Sequence, residues 1–136
     1  MASIAPQYLT TIAALLAVGA LLLIQLVIAD IAAIRAKHKA GTPIPPDFSR
    51  FYFRAARAHA NTNESVVVFI SAVVAGLLAA ANPYWLGLLA WSYFACRVLH
   101  MAFYYANKTL HRSAAFGLSL VVLVAMLFVS GAAAFR

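Results

Sequence analysis

Acid is scarce in this chain. Its 136 residues hold three carboxylates, Asp30, Asp47 and Glu64, against ten Lys and Arg, a net charge of +7. Charged residues make up 10% and hydrophobic residues 65%, with a mean hydropathy of +0.92. Soluble domains are roughly a quarter charged, so this composition belongs to a membrane protein. In a soluble chain the basic excess would suggest nucleic acid. Here Lys and Arg gathered in cytoplasmic loops account for it, and no nucleic-acid partner is expected. Cysteine occurs once, as Cys96 in an apolar run, which excludes a disulfide framework or thiolate metal site and makes it a core residue. His38, His59, His100 and His111 are dispersed, with no pair at metal-ligand spacing, so no metal is expected. Internal repeats, low-complexity tracts and glycine-rich phosphate loops are also missing. Met1–Gln7 has no Lys or Arg, so it lacks the basic n-region of a secretory signal, and the apolar stretch that follows is read as retained.

What is present is four apolar stretches, predicting an all-α, integral membrane four-helix bundle, a single domain over 1–136, with helices at about 8–35, 48–81, 84–107 and 113–135. The first, Tyr8 to Ile34, is about 27 residues, or ~40 Å of helix, more than a ~30 Å hydrocarbon core needs. It should tilt or project. Asp30, near its basic end, can pair with Arg35 or reach water. Gly41-Thr42-Pro43-Ile44-Pro45-Pro46-Asp47 then breaks the helix, and the second is expected to restart with Asp47 or Ser49 as N-cap. Asn82-Pro83 marks a tight turn, and Tyr84, Trp85 and Trp91 beyond it resemble an interfacial aromatic belt. Arg35, Lys37, Lys39, Arg50, Lys108 and Arg112 fall in the first and third connections, whereas the second has no charge. The positive-inside rule then puts both termini outside, periplasmic or lumenal, and both basic connections in the cytoplasm.

Two polar faces stand out against this apolar background. Arg54, Arg57, Asn61 and Glu64 recur at i, i+3, i+7 and i+10 of the second helix, and Arg97, His100 and Tyr104 at i, i+3 and i+7 of the third. Arg97 is about ten residues, ~15 Å, from the basic end of its helix. A mid-membrane arginine costs about 2.5–3.5 kcal/mol on insertion scales, so it should face the bundle interior and meet an anion. Glu64 is the carboxylate at matching depth. Arg112 and Ser113 at the start of the fourth helix, and Arg35 from the first, complete a basic cluster. Its cations outnumber its acids, which suits a small ligand with carboxylates and one cationic group.

Each residue also has a plainer explanation. Arg54 and Arg57 serve equally as snorkelling charges that set topology. Glu64 with Arg97 fits a structural buried pair, His100 a hydrogen-bonded core residue, and Tyr104 an interface aromatic. The conjunction of two polar faces at one depth, beside a third basic turn, is what favours a site.

Arg54-x-x-Arg57-Ala58-His59-x-Asn61-x-x-Glu64 resembles the second-helix signature of the MAPEG family, the membrane-associated proteins in eicosanoid and glutathione metabolism. Arg97-x-x-His100-x-x-x-Tyr104 is similar to that family's third-helix motif, and Arg112-Ser113 to the start of its fourth helix. The likeness is to a bacterial-type member similar to microsomal glutathione transferases. It implies a homotrimer binding glutathione, as co-substrate, between subunits. Carried over by position, Arg57, Asn61 and Glu64 hold glutathione from one protomer, with Glu64 on its ammonium and Arg57 on a carboxylate. His100, Tyr104, Arg112 and Ser113 line the site from the adjacent subunit, with Arg35 contributing from the first helix and Arg54 and Arg97 supporting. In the implied catalysis Arg112 stabilises the thiolate and Ser113 offers a hydroxyl to the sulfur. The implied activity is that of a glutathione transferase or peroxidase acting on a lipophilic electrophile or lipid hydroperoxide. Ala60 and Phe116 depart from the pattern, standing where some members carry an arginine and a tyrosine. The competing reading is a non-catalytic module binding a lipophile or glutathione-like ligand. A proton-coupled four-span exporter fits poorly, because the first helix has no Glu and Asp30 lies at its mouth.

Overall fold

The computed structural model describes residues 6–136. A single 3-10 turn, Pro6–Tyr8, leads into α1 (Leu9–Arg35), followed by α2 (Phe51–Leu78), α3 (Pro83–Tyr105) and α4 (Thr109–Ala134). All four helices are long and apolar enough to cross a membrane. α2 and α3 each pack against every other helix, while α1 and α4 stand on opposite sides of that pair. Much of the outer surface is aliphatic and open, as at Leu16, Val67, Leu78 and Val121. In a membrane that surface costs nothing, because lipid tails are as apolar as the side chains.

The helix ends explain where the elements differ from the sequence expectation. α1, α2 and α3 each stop in a Schellman motif whose left-handed residue is not glycine: Lys37 (φ 54°), Ala80 (φ 51°) and Asn107 (φ 56°). The next amide reaches back each time, His38 to Ala33 (3.0 Å), Ala81 to Gly76 (2.9 Å) and Lys108 to Phe103 (2.8 Å). These hydrogen bonds satisfy carbonyls that would otherwise be orphaned at a helix end. The third motif turns the chain so sharply that α4 starts at Thr109 rather than 113, putting Arg112 and Ser113 in its first turn. Asn82 caps α3, accepting from the amides of Tyr84 (3.1 Å) and Trp85 (3.2 Å), with Pro83 at the first helical position.

α2 begins at Phe51, and neither Asp47 nor Ser49 is its N-cap; Arg50 holds that position in an extended conformation. Asp47 Oδ1 instead accepts from the Ser49 amide (2.9 Å) and hydroxyl (2.6 Å), a local Asx turn that delays the helix by competing for the same donors. Arg50 Nε lies 3.3 Å from Asp47 Oδ2. The Ser49 hydroxyl, then the Ser49 amide and the Arg50 charge, hold the Asp47 carboxyl below the usual aspartate range.

The main core lies towards the uncharged end, where Val18, Phe69, Val73, Leu86, Tyr93 and Met126 are buried together. Phe69 and Tyr93 stack at 4.6 Å, and the Tyr93 hydroxyl meets Ser65 Oγ at 2.8 Å. The Tyr8 hydroxyl donates to the Ala81 carbonyl and Trp91 Nε1 to the Thr10 carbonyl (3.1 Å), tying the start of α1 to the α2–α3 turn and α3. Gly76 is the tightest approach: a Cβ there would sit 2.8 Å from both Leu86 Cδ2 and Ser130 Oγ, and Ser130 itself donates to the Ala72 carbonyl (2.8 Å).

Gly76→Val should therefore lower stability by about 1–3 kcal/mol through overpacking. Gly117→Ala, where nothing lies within 4 Å of the added atom, should hold or slightly raise the thermal unfolding midpoint in detergent, because alanine is the better helix former. The Asx turn makes a second prediction, with its sign set by the lowered carboxyl pKa. Its contribution is fully present above the unfolded value and lost as pH falls through the folded one, so the Ser49 amide should lose exchange protection only below about pH 4. Asp47→Asn should abolish that dependence.

Candidate functional site

Arg97 is 0% exposed, and its partners are neutral. Nη1 donates to Asn61 Oδ1 of α2 and Nη2 to Ser119 Oγ of α4, both at 2.8 Å. Ser119 in turn donates to the Phe116 carbonyl at 2.7 Å. The rings of Tyr93 and Phe116 lie 5.5 and 5.4 Å from the guanidinium carbon, within range of a cation–π attraction. One charged side chain thus joins three helices.

The expected Arg97–Glu64 pair does not form. Glu64 is exposed, and among the described residues the one ion pair is Asp47–Arg50. Helical geometry supplies the reason. Glu64 is three residues beyond Asn61, which rotates it by about 60° and sinks it by ~4.5 Å, so it faces the α4 side rather than α3. Asp30 is exposed as well and has no ion-pair partner.

Towards the basic end from Arg97, Asn61, His100, Tyr104, Arg112, Ser113 and Phe116 line a polar cavity of about 210 Å³. His100 is 2% exposed, edge-on to Tyr104 at 4.9 Å and tilted against Phe116 at 6.1 Å. The Arg112 guanidinium is sandwiched between two rings, 4.5 Å from the centroid of Tyr104 and 4.5 Å from that of Phe48. His100 Nδ1 and Arg112 Nη1 are buried without a hydrogen-bond partner, which a polar ligand would supply. The Ser113 hydroxyl donates to the Thr109 carbonyl (3.1 Å), so it must rotate to serve a ligand. Asn61 and Phe116 also border a second, apolar cavity of about 380 Å³ between α2 and α4, with Glu64 at its polar end and Leu120, Leu123 and Val124 along it.

Within one chain Asn61 thus lines the same cavity as His100, Tyr104, Arg112 and Ser113. Arg57 is exposed and outside the cavity. Arg35 is exposed too, on a separate cleft between α1 and α2 that it shares with Ile31, Arg50 and Tyr52. Arg54 turns away from the cavity: Nη1 donates to the carbonyls of Phe48 (2.6 Å) and Ser49 (2.9 Å), and Nη2 to that of Tyr105 (3.4 Å). It is a strut that ties the α1–α2 connection to the end of α3, thereby holding Phe48 over Arg112.

Ser119 and Phe48 were not singled out from the sequence, and Phe116 only as a departure from the family pattern. Ser119 and Phe116 stand at i+7 and i+4 from Arg112, the same helical face, and that spacing was available as a signal. Phe48 had none, since its place depends on how the proline-rich connection folds back. Among the described residues no group of three or more His, Cys, Asp or Glu is placed to hold a metal ion.

The MAPEG family model matches residues 10–132, nearly the whole chain. No curated protein and no solved structure matches. With four membrane-length helices and this match over nearly the whole chain, the chain belongs to the MAPEG family, a family of membrane proteins linked to glutathione.

Proposed function

We propose that this protein is a glutathione-dependent membrane enzyme that activates the thiol for conjugation to lipophilic electrophiles or for reduction of lipid hydroperoxides. The observation that carries this reading is the unpartnered Arg112 Nη1 in a polar cavity that adjoins an apolar one. A thiol of pKa ~8.5 is only a few per cent ionised at pH 7. A guanidinium beside the sulfur that lowers this by about two units contributes ~2.7 kcal/mol and makes the thiolate dominant. The thiolate then attacks the electrophile lodged in the apolar cavity, forming the S–C bond, and the product carbanion or leaving group takes a proton from water. With a hydroperoxide, two glutathiones give the disulfide, the alcohol and water. The protein supplies position and charge rather than a nucleophile.

The polar cavity, at about 210 Å³, is smaller than the ~300–1,000 Å³ usual for ligand sites. Glutathione therefore extends beyond it, its ammonium towards Glu64 and a carboxylate towards Arg57. A neighbouring subunit of a homotrimer would bring Arg35 to the remaining carboxylate. The basic connections face the cytoplasm, where they put the site, and both termini lie outside.

A second reading, a binding module without turnover, is favoured by one observation: neither Ser113, whose hydroxyl is turned to Thr109, nor Phe116 now offers the sulfur a proton donor. Thiolate ultraviolet absorbance on adding glutathione to the purified protein separates the two. Wild type should develop the band. Arg112→Ala should bind glutathione but lose the band, the thiolate falling back to a few per cent at pH 7. Binding without a band in wild type would favour the module, and no binding at all would sink both glutathione readings.

A further inference from the structure

Every link around Arg97 runs in one direction. A guanidinium has five N–H donors and no acceptor, so the Asn61 atom 2.8 Å from Nη1 must be the carbonyl oxygen Oδ1, whichever way the amide might otherwise turn. The Ser119 hydroxyl spends its proton on the Phe116 carbonyl and so offers Arg97 only a lone pair. The side chain holding Asn61 is fully buried, clamped by hydrogen bonds on two sides and by aromatic rings.

We infer that Arg97, held by Ser119, fixes the polarity of Asn61, so that its Nδ2 amino group is an obligate donor to the bound ligand. With Oδ1 turned towards Arg97, Asn61 meets a ligand through its Nδ2 hydrogens, whose partner is an acceptor oxygen, a carboxylate or peptide carbonyl. This rests on the glutathione reading and sharpens it: an oxygen of the tripeptide faces Nδ2, with the ammonium towards Glu64. Arg97 and Ser119 are positioning residues, and Asn61 makes the specificity contact. Because the Arg97 partners are neutral, its charge also remains available to favour an anion in the cavity.

The test is Asn61→Asp, which keeps the shape and the acceptor facing Arg97 but replaces the donor facing the ligand. In ligand-free protein this change should hold or raise the unfolding midpoint with Arg97 intact, and lower it in an Arg97→Met background. Equal effects in both backgrounds would overturn the polarity assignment, and this arm needs no ligand, so it stands even if glutathione fails to bind wild type. In calorimetric titration with glutathione, Asn61→Asp should weaken binding about tenfold or more. Affinity within about twofold of wild type would overturn the donor role while leaving the glutathione reading in place. Should Arg97→Met not fold, Ser119 gives a milder probe. Ser119→Ala should weaken glutathione binding several-fold and Ser119→Thr, which keeps the hydroxyl, should restore it. An Ala variant that binds like wild type would count against the relay.

Discussion

A guanidinium buried in the membrane-spanning part of the bundle constrains everything around it. Removing a cation from water is expensive unless geometry and hydrogen bonds repay it. Here the repayment comes from Asn61 on α2, Ser119 on α4 and two aromatic faces, with Arg97 itself on α3. Because the three anchors sit on three helices, their relative rotation and depth are specified together. Slipping any one helix by a single residue would swing its anchor by about 100° and strand a buried charge. Polar networks of this kind are costly when half satisfied, which is what makes them specific.

The remainder of the bundle is arranged so that this register can hold. Gly76 lets α2 approach Leu86 of α3 and Ser130 of α4 near the uncharged end, so the helices are close where the core is purely apolar. The Schellman turn at Asn107 brings α4 back without a connecting loop, which sets Arg112 beside Tyr104. Arg54 closes the other side by fastening the α1–α2 connection, with Phe48, to the end of α3. Only α1 stays out of the cavity, and Arg35 with it.

Periodicity alone made much of this legible. Four apolar stretches predicted four helices, and the two polar faces at helical spacing brought Asn61, His100 and Tyr104 together with Arg112 and Ser113. What failed was the identity of the Arg97 partner. Charge bookkeeping pointed to the carboxylate at matching depth, but a three-residue step along a helix changes direction as well as depth. Asn61, one turn nearer the basic end, takes the contact. The start of α2 failed for a local reason, since the Asp47 side chain competes for backbone donors before that helix can begin. Phe48 was invisible because no sequence period runs through a proline-rich connection.

The neutral anchoring of Arg97 also bears on why a family signature contains an asparagine and a glutamate on adjacent turns. Had Glu64 paired with Arg97, both charges would be satisfied in the empty protein, and the cavity would have little electrostatic demand left. With Asn61 in that place, Arg97 is hydrogen-bonded but not neutralised, and Glu64 remains exposed at the end of the apolar cavity. The cavity lining is then cation-rich, and the single acid stands apart from it. Under the glutathione reading proposed above, that arrangement suits a zwitterionic ligand with excess carboxylate better than a neutral or cationic one.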